Sequence, residues 1–189
     1  MSIINSKKIF LYLILCLSFI AIIFFVFFGS TSLESAIQKK WHEKIEVISD
    51  EHVNNLVLFK EKKTNLIVVN TYTEKYGLYS YNNDTEEPLI SLDEEGNPKT
   101  FVKVTDIRGV GNVLWGYIVG DEEIARVDAT FNSTDGRGFS YESTVLNNGI
   151  LIALPKEYKH VDFSNDEWEI KTSFLDKKGK IIGTYKLLY

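Results

Sequence analysis

The chain has 189 residues, of which 44% are hydrophobic, 13% aromatic and 25% charged. This is an ordinary globular composition with one hydrophobic segment added. The single cysteine, Cys16, lies inside that segment, so the rest of the chain can form neither an intrachain disulfide nor a thiolate metal site. A small secreted module of the disulfide-rich kind is therefore excluded, and a bacterial surface protein is favoured.

The charge is unevenly distributed along the chain. Lys7 and Lys8 precede the apolar segment, which leaves 19 basic and 26 acidic residues after it, a formal charge of −7. A domain of this charge is repelled by nucleic acid and by anionic lipid headgroups. No basic stripe with interleaved aromatic residues is present, so we expect no nucleic-acid partner.

The apolar segment Ile9–Phe28 contains no charged residue. At about 1.5 Å per residue a helix of this length spans roughly 30 Å, the hydrocarbon thickness of a bilayer. The sequence therefore predicts a transmembrane helix over Ile9–Phe28, with the lipid bilayer as its partner. A short cytoplasmic N-terminus, residues 1–8, precedes it in this interpretation.

Three other interpretations of the apolar segment are disfavoured. A cleaved signal peptide has a shorter apolar core and a small-residue cleavage site, whereas Ser30-Thr31-Ser32 follows bulky phenylalanines. A lipoprotein needs a small residue before its cysteine, and Leu15 precedes Cys16. A buried core helix is shorter and is not apolar on every face.

The flanking charges predict the orientation and the location. Lys7 and Lys8 lie directly before the segment, while residues 29–38 contain no basic residue. By the positive-inside rule the N-terminus is cytoplasmic, and the C-terminal domain lies on the extracellular side of the cell membrane. Lys39, Lys40 and Lys44 weaken the asymmetry.

A small α+β subdomain is predicted over residues 33–82. Thr31 and Glu34 match a capping box, and apolar residues at helical spacing predict a helix over Leu33–Trp41. Stretches rich in β-branched and aromatic residues then predict an antiparallel meander of four strands: Ile45–Ser49, Leu56–Lys60, Leu66–Thr71 and Leu78–Tyr81.

Residues 83–99 are predicted to form an acidic linker, in which the apolar patch Leu89–Leu92 is a candidate edge strand. Residues 100–189 then read as seven evenly spaced strands separated by turn signals such as Asn148-Gly149. The strands are Thr100–Ile107, Val113–Val119, Ile124–Phe131, Phe139–Leu146, Ile150–Leu154, Trp168–Leu175 and Ile181–Leu188. The expected fold is mainly β, α+β overall, and ends in an immunoglobulin-like β-sandwich without the Cys…Trp…Cys pattern.

No catalytic or metal-binding constellation stands out, and we expect no cofactor. His42, His52 and His160 form no short-spaced pair with one another or with cysteine, so solvated histidines on loops are favoured. Gly109-x-Gly111 lacks the third glycine and the following helix of a phosphate loop. The acidic runs lack the ligand spacing of a calcium-binding EF-hand.

Tyrosines are densest around the fourth predicted strand. Tyr79 and Tyr81 share a strand face by their spacing of two, with Tyr76 just before them. If exposed, Tyr76, Tyr79 and Tyr81 form a platform for a sugar or peptide; if buried, they belong to the core. Core packing is favoured, and the platform is kept as the candidate binding site.

The layout resembles small single-pass membrane proteins of Bacillus-like Gram-positive bacteria that carry no assigned activity. The segments that carry the resemblance are Leu33–Ile37 before Trp41, the strand Leu56–Phe59, and the closing stretch Leu175–Ile182. The resemblance implies a location and a domain layout only.

These features favour a membrane-tethered, extracytoplasmic, non-enzymatic binding or interaction module, whose partner is an envelope or membrane protein. The alternative is an accessory or structural subunit of a membrane complex that acts through its transmembrane and juxtamembrane helices. An envelope hydrolase is the third possibility, and it is disfavoured because no site motif is present.

Overall fold

The computed structural model describes residues 6–82, 88–92, 100–120, 124–165 and 167–186. Half of the chain is β-strand, so the prediction of a mainly β protein is confirmed. The described part begins with two helices, α1 (Ser6–Phe28) and α2 (Leu33–Trp41). The strands that follow are β1 (Ile45–Glu51), β2 (Leu56–Glu61), β3 (Leu66–Lys75), β4 (Leu78–Tyr81), β5 (Leu89–Ser91), β6 (Phe101–Ile107), β7 (Gly111–Tyr117), β8 (Arg126–Ser133), β9 (Gly138–Thr144), β10 (Gly149–Ala153), β11 (Trp168–Leu175) and β12 (Ile181–Lys186).

The strands form three antiparallel sheets, which we call the first, central and third sheets. The first sheet has the order β1-β2-β3-β4, and β5 also pairs with β3. The central sheet has the order β10-β7-β6, and the third has the order β12-β11-β8-β9. Strands adjacent in sequence are mostly hairpin neighbours, as the predicted turns require.

The three sheets lie in successive layers, because the central sheet is apolar on both faces. One hydrophobic cluster joins Leu58 and Val69 of the first sheet to Val113 and Trp115 of β7. A second cluster joins Leu114 of β7 to residues of the third sheet. Successive side chains of a strand point to opposite faces. Residues 111–116 of β7 are therefore buried without a break.

Helix α2 covers the outer face of the first sheet. Leu33, Ala36 and Ile37 are its buried residues, and they pack in a third cluster with strand residues that include Phe59. Ser32 is the N-cap, and its hydroxyl accepts a hydrogen bond from the amide of Ser35 at 3.2 Å. The predicted helix is present, but its cap lies one residue after the predicted Thr31.

The structure contradicts the predicted transmembrane helix over Ile9–Phe28. Within the part of the chain that the structure describes, no helix is long and apolar enough to cross a membrane. The predicted contact with lipid and the predicted location are not tested by this finding and stay predictions.

The strands lie where they were predicted to within a few residues. Leu89–Ser91 pairs with β3 as an edge strand, whereas most of the predicted acidic linker lies outside the described residues. The β9–β10 turn differs in detail from the prediction, since Asn147 and Asn148 have the positive φ angles, 48° and 65°. The division into subdomains 33–82 and 100–189 stays a prediction.

Candidate binding clefts beside strand β6

The three tyrosines of the predicted platform lie in different environments. Tyr76 is 93% exposed at the tip of the β3–β4 hairpin, and Tyr81 is buried with its ring edge-on to Phe59. Tyr79 is half-buried and lies against Tyr72, with ring centroids 6.0 Å apart. The structure therefore does not bring the three rings to one surface. The ligand platform stays a prediction, with Tyr76 as its one fully exposed ring.

Among the described residues, strand β6 is an edge of the central sheet, and one row of its backbone groups has no partner strand. On the β10 side of β7, the amide of Ile118 donates to Asn148 O and Asn112 O accepts from the amide of Leu154. Alternate residues of a strand bond to opposite neighbours, so the odd-numbered residues of β7 bond to β6.

The register then determines which residues of β6 direct their backbone N–H and C=O groups away from β7. Lys103 and Thr105 lie opposite Trp115 and Val113, so they bond to β7. The N–H and C=O groups of Val102, Val104 and Asp106 point away from β7 instead. Val102 is only 3% exposed, so this side of β6 is open only at Val104 and Asp106. Within the described ranges, no strand pairs with this outer edge.

A cleft of about 470 Å³ lies between the second half of β6 and the loop over residues 160–164. We call it the acidic cleft. Its lining includes Val104, Thr105, Asp106, His160, Asp162 and Ser164. Asp106, His160, Asp162 and Ser164 are exposed, so their polar atoms are available to a ligand.

The loop that forms the far wall is fixed by Asn112, a buried side chain of β7. The Asn112 amide nitrogen donates to the carbonyl oxygens of Tyr158 at 2.9 Å and Val161 at 2.8 Å. Gly111 lets the loop approach, because a Cβ there would lie 2.7 Å from Lys159 O. The acidic cleft thus has two walls whose backbones are held by the central sheet.

The Asp162 carboxylate is the best-defined charge of the acidic cleft. Hydrogen bonds from the Ser164 hydroxyl, at 2.6 Å, and from the Ser164 amide, at 3.0 Å, lower the pKa of Asp162 below its ordinary value. A carboxylate with a lowered pKa is a weak general base. Because the hydrogen bonds from Ser164 stabilise the charged form of Asp162, the arrangement favours fixed negative charge.

A second cleft, of about 310 Å³, lies toward the other end of β6. We call it the second cleft. Thr100 lies in its wall just before β6, and the Thr100 hydroxyl accepts a hydrogen bond from the amide of Val119 at 2.9 Å. The side chains that line it from β12 and from the neighbouring strands and loops include Ile118, Ile124, Phe174, Ile182 and Tyr185.

The histidines do not converge. His42 ends α2 with φ of 57°, and His160 lies in the acidic cleft. His52 lies between Asp50, 3.4 Å from its Nε2, and the Tyr72 hydroxyl, 2.9 Å from its Nδ1. Burial, reinforced by the charge of Asp50, raises the pKa of Tyr72 to about 12, so its hydroxyl stays protonated. Among the described residues, no group of three His, Cys, Asp or Glu side chains could hold a metal ion.

Sequence reasoning missed both clefts. Asp106, His160 and Asp162 are far apart in the chain and form no motif, and the loop carries no periodic pattern. The one available signal was Asn112, a polar residue at the start of an apolar strand. Its role depends on a loop some 46 residues further along the chain.

No protein-family model matches the chain, and neither do any of the curated proteins or solved structures compared with it. The resemblance to membrane proteins of Bacillus-like bacteria stays a prediction.

Proposed function

We propose that this chain is a non-enzymatic binding module that recognises another protein along strand β6. The observation that carries the proposal is the acidic cleft, in which exposed carboxylates lie beside the second half of β6. Ligand sites are typically concave, preformed, and lined by apolar groups with a few placed polar ones. The acidic cleft has this character, and the central sheet holds its walls.

The polar groups of the acidic cleft support binding over catalysis. Asp162 is hydrogen-bonded in its charged form, and the exposed Asp106 adds a second negative charge on the opposite wall. An exposed pair of carboxylates beside an edge strand suits recognition of cationic groups.

The strand order supports an immunoglobulin-like layout for β6–β12. The first, second and fifth of these strands share one sheet, while the third, fourth, sixth and seventh share the other. Immunoglobulin domains also divide seven strands between two facing sheets, with the third, sixth and seventh together. The fourth strand here pairs with the third, as the added strand of variable-type domains does. Such domains present loops and edges for binding.

A second candidate function is contact with lipid, favoured by the exposure of α1. Its described apolar side chains are uncovered on every side, for example Phe10 at 66%, Tyr12 at 68% and Phe19 at 65% exposed. Exposed contiguous apolar surface marks an interaction site for a protein or a lipid. We expect the full chain to float with phosphatidylcholine vesicles in a density gradient. Sedimentation of the chain apart from the vesicles would contradict lipid contact.

Site-specific photo-crosslinking tests the main proposal. A benzoylphenylalanine at His160 places the reactive group in the acidic cleft, and one at Lys171, exposed on β11, serves as the matched control. We expect a defined crosslinked partner in cells from position 160, reduced when Asp106→Lys and Asp162→Lys are combined. No adduct at 160, or an adduct equal at both positions, would refute the binding role of the cleft.

A further inference from the structure

We infer that two copies of this chain associate through β9, which pairs antiparallel with β9 of the second copy about a two-fold axis. This contact lies on the third sheet and does not depend on the acidic cleft. Three features of β9 support it: an exposed row of backbone groups, a regular strand without the usual protection of an edge, and side chains that complement themselves. The pairing joins the third sheets of the two copies into one continuous sheet.

The backbone bonds between β8 and β9 show which groups of β9 lie at the open edge of the third sheet. At one end of this pair the Ser133 amide donates to Arg137 O at 2.7 Å, and at the other end the Val145 amide donates to Ala125 O at 3.0 Å. Hydrogen-bonded pairs alternate along an antiparallel ladder. The odd-numbered residues of β9 therefore bond to β8, and the even-numbered residues direct their N–H and C=O groups outward.

The outward residues of β9 are open to solvent along the whole strand. All four are exposed, and they are Gly138, Ser140, Glu142 and Thr144. Gly138 has no side chain, so its exposure is that of the main chain. Strands β8 and β9 lie within the continuously described range 124–165, and no described strand pairs with this edge. Among the described residues, the outward groups receive only a local hydrogen bond, from the Ser143 hydroxyl to Thr144 O at 3.2 Å.

Strand β9 lacks the features that protect other described edge strands from pairing. Protein edges are commonly interrupted by bulges, proline or lysine, or are covered by another segment. The β1–β2 and β11–β12 pairs each contain a register shift, and β4 is covered by Ser30, which exchanges two backbone hydrogen bonds of 2.8 Å with Tyr79. The β8–β9 register contains no shift, and Gly138–Thr144 contains neither proline nor lysine. A further strand can therefore extend the third sheet at β9.

The charge pattern of β9 is compatible with a second copy of the same strand. Glu142 is the only charged residue of the strand, and it forms an ion pair with Arg126 of β8, with 2.8 Å between Oε1 and Nη1. In a pairing centred on Tyr141, each Glu142 lies opposite Ser140 of the other copy. A pairing centred on Glu142 would place two like charges directly opposite each other, which is destabilising.

The pairing centred on Tyr141 also uses the inner face and the full length of β9. Tyr141 is partly buried against the hydrophobic cluster of the third sheet. In this register it lies opposite Tyr141 of the second copy, and cross-strand aromatic pairs stabilise a sheet. Gly138 then lies opposite Thr144, so every outward group of the strand has a partner. A pairing centred on Ser140 would instead place Thr144 opposite the β8–β9 turn.

Sedimentation equilibrium of the full chain in mild detergent tests the association. We expect a dimer whose dissociation constant Ser140→Pro raises by roughly tenfold or more, because proline removes an outward N–H from each copy and leaves the bonds to β8 intact. Ser140→Thr keeps this N–H, suits a strand, and should stay within about twofold of the parent. A monomeric parent chain, or a dimer that Ser140→Pro leaves unchanged, would overturn the inference.

Disulfide trapping tests the register without relying on the folding of the proline variant. In a Cys16→Ser background, Tyr141→Cys places two thiols across the two-fold axis, with about 4.5 Å between Cα atoms, a separation that a disulfide spans. We expect oxidised glutathione, which accepts the two electrons, to produce a covalent dimer on a non-reducing gel. Lys171→Cys, exposed on β11, is the matched control and should stay monomeric. No dimer from Tyr141→Cys, or equal dimer from both variants, would overturn the inference.

Discussion

At the scale of single residues, one buried carboxylate holds the β2–β3 hairpin together. Glu61 is 2% exposed, and its oxygens accept hydrogen bonds from the amides of Lys63 at 2.6 Å and Thr64 at 2.8 Å, and from the Thr64 hydroxyl. Burial by itself would raise the pKa of Glu61. The hydrogen bonds from Thr64 and Lys63, together with the charge of Lys63, outweigh burial, so the pKa of Glu61 is lowered below its ordinary value.

We predict that Glu61→Gln lowers the free energy of unfolding by about 1–3 kcal/mol at neutral pH, because a charged acceptor is lost. The folded pKa lies below the unfolded one, so the stabilisation is present above the unfolded pKa, about 4.3, and is lost as pH falls through the folded value. Urea titrations from pH 7 to pH 3 measure this. Glu46→Gln, at an exposed carboxylate paired with Lys62, is the control and should change stability by less than about 1 kcal/mol. Equal stability of Glu61→Gln and the parent would contradict the role of Glu61.

Tyr76 adopts a backbone conformation that disfavours it. Its φ is 56° and that of Gly77 is 73°, the pattern of a two-residue hairpin turn that favours asparagine and glycine. The ring is 93% exposed, so little packing within the chain offsets the strain. Residues held in such backbone conformations cluster at active sites and ligand clamps.

We predict that Tyr76→Asn raises the free energy of unfolding by about 1 kcal/mol, since asparagine tolerates positive φ better than tyrosine. Tyr76→Phe keeps the backbone strain and should leave stability unchanged. Chemical denaturation of the three proteins measures the difference. A loss of stability in Tyr76→Asn would show that the exposed ring stabilises the hairpin in a way that its surroundings do not reveal.

At the scale of elements, the start of β10 joins the first and central sheets. Gly149 is buried, and a Cβ there would overlap Ile48 Cγ2 and lie 2.9 Å from Leu58 Cδ2. The preceding Asn147 donates to Ile48 O at 3.2 Å, where β1 has a bulge. The β9–β10 turn thus packs the central sheet against β1, an edge strand of the first sheet.

We predict that Gly149→Ala destabilises the fold by about 1–3 kcal/mol through overpacking. Gly183→Ala is the matched control, because its Cβ would meet nothing closer than 3.7 Å. The thermal unfolding midpoints of the two variants measure this loss of stability. Equal unfolding midpoints for Gly149→Ala and Gly183→Ala would contradict this prediction. They would mean that Ile48 and Leu58 move aside for the added methyl group without loss of stability.

The elements also show what sequence patterns can and cannot predict. Strands β6–β12 were predictable because apolar alternation and turn residues are local signals. The continuous burial of β7 was not, since Val113 and Trp115 face the first sheet, whose position follows from tertiary packing. The acidic cleft was unpredictable for the same reason, because Asn112 and the loop it fixes meet only in the folded chain.

At the scale of the whole molecule, a hydrophobic cluster is shared between the first and central sheets. Leu58 and Val69 from predicted subdomain 33–82 pack with Val113 and Trp115 from predicted subdomain 100–189. Separating them would expose apolar surface worth about 25 cal/mol per Å². Neither set of strands covers its apolar face alone.

We predict that the amide signals of β2 and of β11 disappear at the same urea concentration in one sample followed by NMR. Coincident loss at distant probes indicates a two-state transition. Midpoints that differ between the two strands would show that the predicted subdomains unfold separately, and that the cluster contributes little to stability.

Amide hydrogen exchange along β6 in the full chain tests the account most directly. The amides of Val104 and Asp106 should exchange fast in the free chain and become protected when the partner captured by crosslinking at position 160 binds, while those of Lys103 and Thr105 stay protected throughout. Slow exchange at Val104 and Asp106 in the free chain, or no change when the partner binds, would contradict recognition of a partner beside the second half of β6.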